Sequence, residues 1–231
     1  MKKYHHIFFD LDNTLWDFDT NSARALQMIF EGEQLHTKGI PSLDDFRRRY
    51  KAINDRYWVQ YHHGLIPKEE VRIGRFEDTL KAFGIDDRKM AERMAERYVC
   101  ISPQMTALFP GAAETLQYLS SKYSVHLITN GFADVQRVKI KNCGLAGYFG
   151  EIIISEEVGT QKPDPEIFRI ALNRVAATPE ICLMIGDNMH TDIAGAKAAG
   201  MDQALFNPLK KFHREKATYI IHCLEELREF L

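Results

Sequence analysis

The spacing of apolar positions changes character along the chain. Ile7, Phe8 and Phe9 form a short unbroken apolar run. Such a run reads as a buried strand of a parallel sheet, expected here over Tyr4 to Phe9. From Asp19 to about residue 105 the apolar positions recur at helical spacing instead. Asp19 or Thr20 can cap a first helix carrying Ala23, Leu26, Met28, Ile29 and Phe30. Pro41-Ser42 opens a second, with Asp45 three residues after Ser42 as in a capping box. Gly64 and Pro67 interrupt the pattern, and a third helix is expected to run to about Phe83. Gly84 ends it, and Asp86-Asp87 opens a fourth towards Cys100. Nothing between Leu15 and Met105 reads as a strand, so this stretch is expected to be a four-helix insert.

After Pro110-Gly111 the pattern alternates. Strands are expected at Val125–Thr129, Ile152–Ser155, Cys182–Ile185, Gln203–Phe206 and Tyr219–Ile221. Helical stretches lie near Ala112–Ser121, Val135–Lys141, Pro165–Val175 and Ile193–Ala199, with an amphipathic helix over Leu224 to Leu231. Alternating β and α elements imply a parallel sheet with right-handed crossovers. The predicted fold is α/β: a Rossmann-like parallel sheet flanked by helices, with an inserted four-helix bundle. The core is split, residues 1–16 and 107–231, around an insert of residues 17–106. No internal repeat or low-complexity segment is visible.

Composition narrows the partners. The 231 residues carry 30 Lys plus Arg against 32 Asp plus Glu, a formal net charge of -2. Binding a phosphate backbone needs a basic face, so nucleic acid is not an expected partner. The basic triplet Arg47-Arg48-Arg49 reads as a solvated helix face. Cys100, Cys143, Cys182 and Cys223 are far apart and form no CxxC, so buried thiols are expected rather than disulfides or zinc ligands. The run after Lys2 and Lys3 is cut by Asp10, too short for a signal-peptide core or a membrane span. A reduced, cytoplasmic setting with no membrane partner is expected.

Four predicted strand ends carry polar residues. Asp10 and Asp12 lie two positions apart straight after the first strand, with Asn13 and Thr14 following. Two acids there repel and lose hydration unless a cation or proton compensates, and a hard divalent ion such as Mg²⁺ would do so. An Asx-turn is the plainer reading of that pair taken alone. Thr129-Asn130-Gly131 is a turn signal, yet a hydroxyl and backbone N–H groups at a strand end can also hold phosphate oxygens. Lys162-Pro163-Asp164-Pro165 reads as a helix start, or places a point cation near phosphate and carboxylate. Gly186-Asp187-Asn188-Met189-His190-Thr191-Asp192 offers a glycine for a sharp turn and two acids five positions apart. Thr191 or Asp192 could cap the next helix; alternatively Asp187 ligates the same cation as Asp10 and Asp12 while Asp192 orients the ligands. His190 is read as incidental. A parallel sheet would bring all four ends to one edge.

The order D-x-D-x-T, T-N, K-P and G-D-x-x-x-x-D resembles the haloacid dehalogenase superfamily. Its helical insert is similar to that family's cap, placed after the first motif. The resemblance implies that Asp10 is a nucleophile forming an aspartyl phosphate and that Asp12 is the general acid/base. It implies that Thr129, with Asn130 beside it, and Lys162 bind phosphate or substrate. It implies Mg²⁺ held by Asp10, the backbone carbonyl of Asp12, and Asp187, with Asp192 in support. Dehalogenases of the superfamily lack the second acid, because halide leaves without a proton, so Asp12 favours a phosphatase.

The insert adds a looser likeness. Asn54, Trp58, Tyr61, Gly64 and Gly74-Arg75-Phe76, together with Ile128–Phe132 and Ser155–Gly159, are similar to bacterial pyrimidine 5′-nucleotidases of the superfamily. These hydrolyse nucleoside monophosphates such as UMP, dUMP and dTMP. Trp58 or Phe76 could stack on a base and Arg75 could bind a carbonyl, although Tyr57, Trp58 and Tyr61 at helical spacing also fit a core stripe. Trp16 is placed in the hinge between core and cap. The expected substrate is a small phosphate ester, with a nucleoside monophosphate ahead of phosphoglycolate or a sugar phosphate. A mutase, a dehalogenase and a non-catalytic binding protein are the alternatives, and a monomer or homodimer is expected.

Overall fold

The computed structural model describes residues 3–231, so Lys2 of the amino-terminal lysine pair lies outside the described residues. The first apolar run forms strand β1 (His6–Phe9), with Ile7, Phe8 and Phe9 wholly buried. Four long helices follow: α1 (Phe18–Gly32), α2 (Leu43–His62), α3 (Lys68–Lys81) and α4 (Arg88–Ile101). The chain then alternates through α5 (Ala112–Ser120), β2 (Ser124–Thr129), α6 (Ala133–Asn142), β3 (Glu151–Ile154) and the single-turn α7 (Ser155–Val158). It continues with α8 (Pro165–Arg174), β4 (Cys182–Gly186), α9 (Ala194–Ala198), β5 (Asp202–Phe206) and β6 (Tyr219–Ile221).

The strands form one parallel sheet in the order β3-β2-β1-β4-β5-β6. The chain winds outwards from β1 through β2 and β3, then returns to β4 on the other flank of β1. Winding therefore reverses between β1 and β4, and in open α/β sheets ligands bind in the crevice beyond the carboxyl ends of such strands. Phe9 pairs with Leu127 and Ile185, so Asp10 emerges level with the last residues of β2 and β4. Asp10 N–H still donates to Ile185 O at 2.9 Å. Past it the chain folds on itself, with Leu15 and Trp16 both donating to Leu11 O and Asn13 in the left-handed region at φ 64°.

Two compact units are present, Met1–Phe18 with Thr106–Leu231, and Asp19–Met105. Within the first, the segments that lead out to the helices and back run side by side. Asp17 N–H donates to Ala107 O and Phe109 N–H to Leu15 O.

The helical unit has its own core, built from Leu26, Ile29, Phe30, Phe46, Tyr50, Phe76, Met94 and Tyr98 among others. Ser42 caps α2 by accepting from Asp45 N–H at 3.1 Å. The return arm of the capping box is altered, since the Ser42 hydroxyl donates to the Asp45 carboxylate. Asp87 caps α4 by accepting from Met90 N–H. On α1, Met28 is exposed and not core, while Asn21 and Ser22 are buried; Ser22 accepts from the Tyr98 hydroxyl. Arg47 and Arg48 pair with Asp44 and Asp45 on the outer face of α2.

Three expectations are corrected. The last segment is a 3₁₀ turn, Leu224–Glu229, not an amphipathic α-helix: its buried Leu224 and Leu227 repeat every three residues, the 3₁₀ period. Helix α9 is preceded by a widened turn over Met189–Ile193, in which Asn188 O accepts from both Asp192 and Ile193. Neither Asp192 nor Thr191 caps α9; the Asn188 side chain caps the widened turn instead, accepting from the N–H groups of His190 and Thr191. All four cysteines are free thiols, but Cys100 and Cys223 are exposed and only Cys182 is fully buried. Among the described residues, no helix is long and apolar enough to cross a membrane.

Candidate active site

The predicted strand ends converge. Asp10 follows β1, Thr129 closes β2, Asp187 follows β4, and Lys162 arrives on the loop before α8. Lys162 is 2 % exposed, and its Nζ lies 2.6 Å from Asp10 Oδ1, 2.7 Å from Asp192 Oδ1 and 2.8 Å from Ile128 O. The ammonium donates to Asp10 and to Ile128 O, with Asp192 at ion-pair distance beside it. Burial works against its charge, but Asp10 and Asp192 outweigh that and hold its pKa above the ordinary lysine value.

Asp10, Asp187 and Asp192 bring one carboxylate oxygen each within 4.8 Å of one another. Burial raises the pKa of Asp10 above the usual carboxylate range; Lys162 pulls it back and the charge of Asp192 adds to the rise. Burial likewise raises Asp187, and repulsion from Asp192 and Asp10 adds to it. Three carboxylates thus face one ammonium. That excess of buried negative charge, on hard oxygen donors alone, fits a divalent cation of the magnesium type.

Thr14, given no role from sequence, cements this cluster. Its hydroxyl accepts from Asp187 N–H at 3.1 Å and lies 3.2 Å from Asp10 Oδ2 and 3.3 Å from Asp187 Oδ1. Gly186 is needed for close approach rather than for a turn, because a Cβ there would strike the Asp192 carboxylate. Asp192 accepts from Asn188 N–H at 3.0 Å, which holds the loop around it.

The side chain of Asp12 stands apart from the acid cluster. Its Oδ1 lies 2.6 Å from Lys139 Nζ and its Oδ2 accepts from Gln136 Nε2 at 2.8 Å. Gln136 also donates to Thr129 Oγ1 at 2.6 Å. Both partners lie on α6 and neither was singled out from sequence; the available signal was their i, i+3 spacing just after Thr129-Asn130-Gly131. Asn130 turns its amide onto Lys162, donating to Lys162 O and accepting from Lys162 N–H. His190 is exposed. Trp16 is wholly buried, with the Lys139 ammonium 4.0 Å from its ring centroid.

In the helical unit, Phe76 is wholly buried, its ring centroid 4.9 Å from that of Tyr50 and 5.7 Å from that of Tyr98. It is a core residue and has no free face to stack on a base. Arg75 is also buried, donating to Asn54 Oδ1 at 2.8 Å with its guanidinium 4.8 Å from the Tyr98 ring. Trp58 keeps an exposed portion and meets Tyr61 edge-on.

Comparison with known proteins gives the family. A family model described as haloacid dehalogenase-like hydrolase matches residues 4–200. The pyrimidine 5′-nucleotidase YjjG of Escherichia coli is 33% identical over 236 residues, covering 99% of this chain and 98% of that protein. The pyrimidine 5′-nucleotidase PynA of Streptococcus pneumoniae is 30% identical, with 99% of this chain and 95% of that protein covered. The crystal structure of YfnB from Bacillus subtilis bound to magnesium superposes with a TM-score of 0.88 at 31% identity, covering 99% of this chain and 98% of that one.

Proposed function

We propose that this chain, which belongs to the haloacid dehalogenase-like hydrolase family, is a Mg²⁺-dependent phosphomonoester hydrolase that works through an aspartyl phosphate on Asp10. The observation that carries this reading is the buried Lys162 paired to Asp10 beside the acid cluster Asp10, Asp187 and Asp192. A carboxylate attacking an anionic phosphate needs positive charge at hand, and fixed cations in a water-poor crevice supply it. Asp10 and Asp187, with the backbone carbonyl of Asp12 and support from Asp192, would hold the ion, whose chemistry there is to offset the charge of nucleophile and phosphate.

Two displacements account for hydrolysis. The Asp10 carboxylate attacks phosphorus and the bond to the ester oxygen breaks, that oxygen taking a proton from Asp12. Water then attacks the same phosphorus and passes a proton to Asp12. The Asp10–phosphorus bond breaks, releasing orthophosphate and restoring Asp10. Asp12 has work in both halves, which halide displacement would not give it. The Thr129 hydroxyl and Lys162 are the phosphate-binding groups.

The substrate we infer is a pyrimidine nucleoside 5′-monophosphate. Full-length similarity to YjjG and PynA supports it. Phosphate release with Mg²⁺ across UMP, dUMP, dTMP, purine monophosphates, phosphoglycolate and sugar phosphates tests both levels, with Asp10→Asn and EDTA as controls. Pyrimidine nucleotides leading, with both controls silent, is the expected outcome. Another leading ester would overturn the substrate alone, and activity surviving Asp10→Asn would overturn the mechanism.

A further inference from the structure

Helix α6 begins just past Thr129 and presents Gln136 and Lys139 one turn apart, the first wholly buried and the second 4 % exposed. Together they grip both oxygens of Asp12, Lys139 at Oδ1 and Gln136 at Oδ2. The second amide proton of Gln136 goes to Thr129 Oγ1. Reversing the amide would set one acceptor against another, so the donor must face Asp12. That orientation leaves Gln136 Oε1 buried with no donor. A glutamine serving only to pack would not be held to an orientation that strands its own oxygen. Gly131 permits the approach, because a Cβ there would strike the Gln136 amide. Lys139 in turn is steadied from below by the Trp16 ring.

We infer that Gln136 and Lys139 are positioning residues, acting through Asp12 and Thr129, for the phosphoryl transfer proposed above, on which this inference rests. An aspartate side chain that must protonate an oxygen in one half-reaction and receive a proton from water in the next depends on a fixed direction. The two donors restrict its rotation. Because Thr129 Oγ1 accepts from Gln136, its own proton is left to donate to a phosphate oxygen. One helix face thereby sets the direction of the acid/base and of a phosphate-binding hydroxyl.

The test uses p-nitrophenyl phosphate with Mg²⁺, whose good leaving group lessens the need for an acid in the first displacement and exposes the second. Wild-type enzyme, Lys139→Met, Gln136→Leu and Lys139→Arg are compared for kcat, KM and the fraction of enzyme trapped as aspartyl phosphate by acid quench. Lys139→Met and Gln136→Leu are expected to lose about tenfold or more in kcat with KM moved less than about threefold. The trapped fraction should rise, because attacking water lacks a fixed base, and Lys139→Arg should recover most of kcat. An unchanged trapped fraction, or kcat and KM failing together with the melting temperature, would overturn the inference. Should Lys139→Met not fold, Lys139→Gln is read by the same split. A wild type that hydrolyses no phosphate ester would defeat the phosphatase reading itself, before any variant is compared.

Discussion

Asn130 and Lys162 are tied by a reciprocal pair of hydrogen bonds, Nδ2 to Lys162 O at 2.8 Å and Lys162 N–H to Oδ1 at 2.9 Å. The amide of one strand end thus holds the main chain that carries the buried ammonium. Asn130→Ala is expected to let that loop drift and to lower kcat/KM about tenfold, since small displacements of a positioned charge are costly. Asn130→Asp keeps the acceptor but loses the donor, and should fall between wild type and Ala. Steady-state kinetics of the three proteins check the order, and an alanine variant at wild-type rate would refute it.

Lys162→Met strands Asp10 and Asp192 without their shared cation. Breaking a buried ion pair from one side costs about 3 kcal/mol or more. Urea melts in EDTA should show that loss. Added Mg²⁺ should return part of it, because the ion replaces some of the missing charge. Turnover should fall by a factor on the order of a thousand.

The removal of metal gives the converse result. On the proposed reading Mg²⁺ would bind the folded acid cluster and not the unfolded chain, so it should raise stability by about 2.7 kcal/mol at a hundred times its Kd. Asp187→Asn takes away a carboxylate that Asp192 and Asp10 repel. In EDTA this variant should therefore melt at or above the wild-type temperature, yet gain little from Mg²⁺. A variant that keeps the full magnesium increment would exclude Asp187 as a ligand.

Legibility in the sequence followed the range of each physical signal. Apolar runs and helical spacing are local, so the six strands and the four helices of the insert could be read directly, with ends displaced by a residue or two. Asp10, Lys162, Asp187 and Asp192 could be read because each sits just past an apolar strand or at a helix start, and a parallel sheet gathers such points. Gln136 and Lys139 could not, since a Gln and a Lys on a helix ordinarily mark its solvated face, whereas here Gln136 packs close over Gly131 and Lys139 lies over the Trp16 ring. Phe76 failed differently. Its neighbours Gly74 and Arg75 lent it the look of a recognition motif, but Tyr50 of α2 and Tyr98 of α4 pack against its wholly buried ring.

Phe76 therefore offers a contrast with Trp58. Phe76→Ala should destabilise the helical unit by about 3–5 kcal/mol through the cavity it leaves. Trp58→Ala should cost far less stability, because part of its side chain already meets solvent. Equal effects of the two on melting would contradict the burial difference.

His126 predicts a pH dependence separate from the acid cluster. It is buried on β2, where Nδ1 accepts from Glu151 N–H at 3.2 Å. Nε2 must then carry the ring proton and donate to His6 Nδ1 at 3.0 Å. Burial lowers its pKa to about 4, and His6 adds to the fall. The unfolded chain takes up a proton near pH 6.5, where the fold refuses it, so stability is lost as pH falls from about 6.5 towards 4. Relative to His126→Gln, wild type should lose on the order of 2 kcal/mol between about pH 7.5 and about pH 5. The comparison with the variant matters, because Asp10 and Asp187 have raised pKa values and push the other way over the same range. Urea melts of both proteins at the two pH values decide it: a difference that stays flat would mean that the buried ring is already protonated or that the pair opens to water.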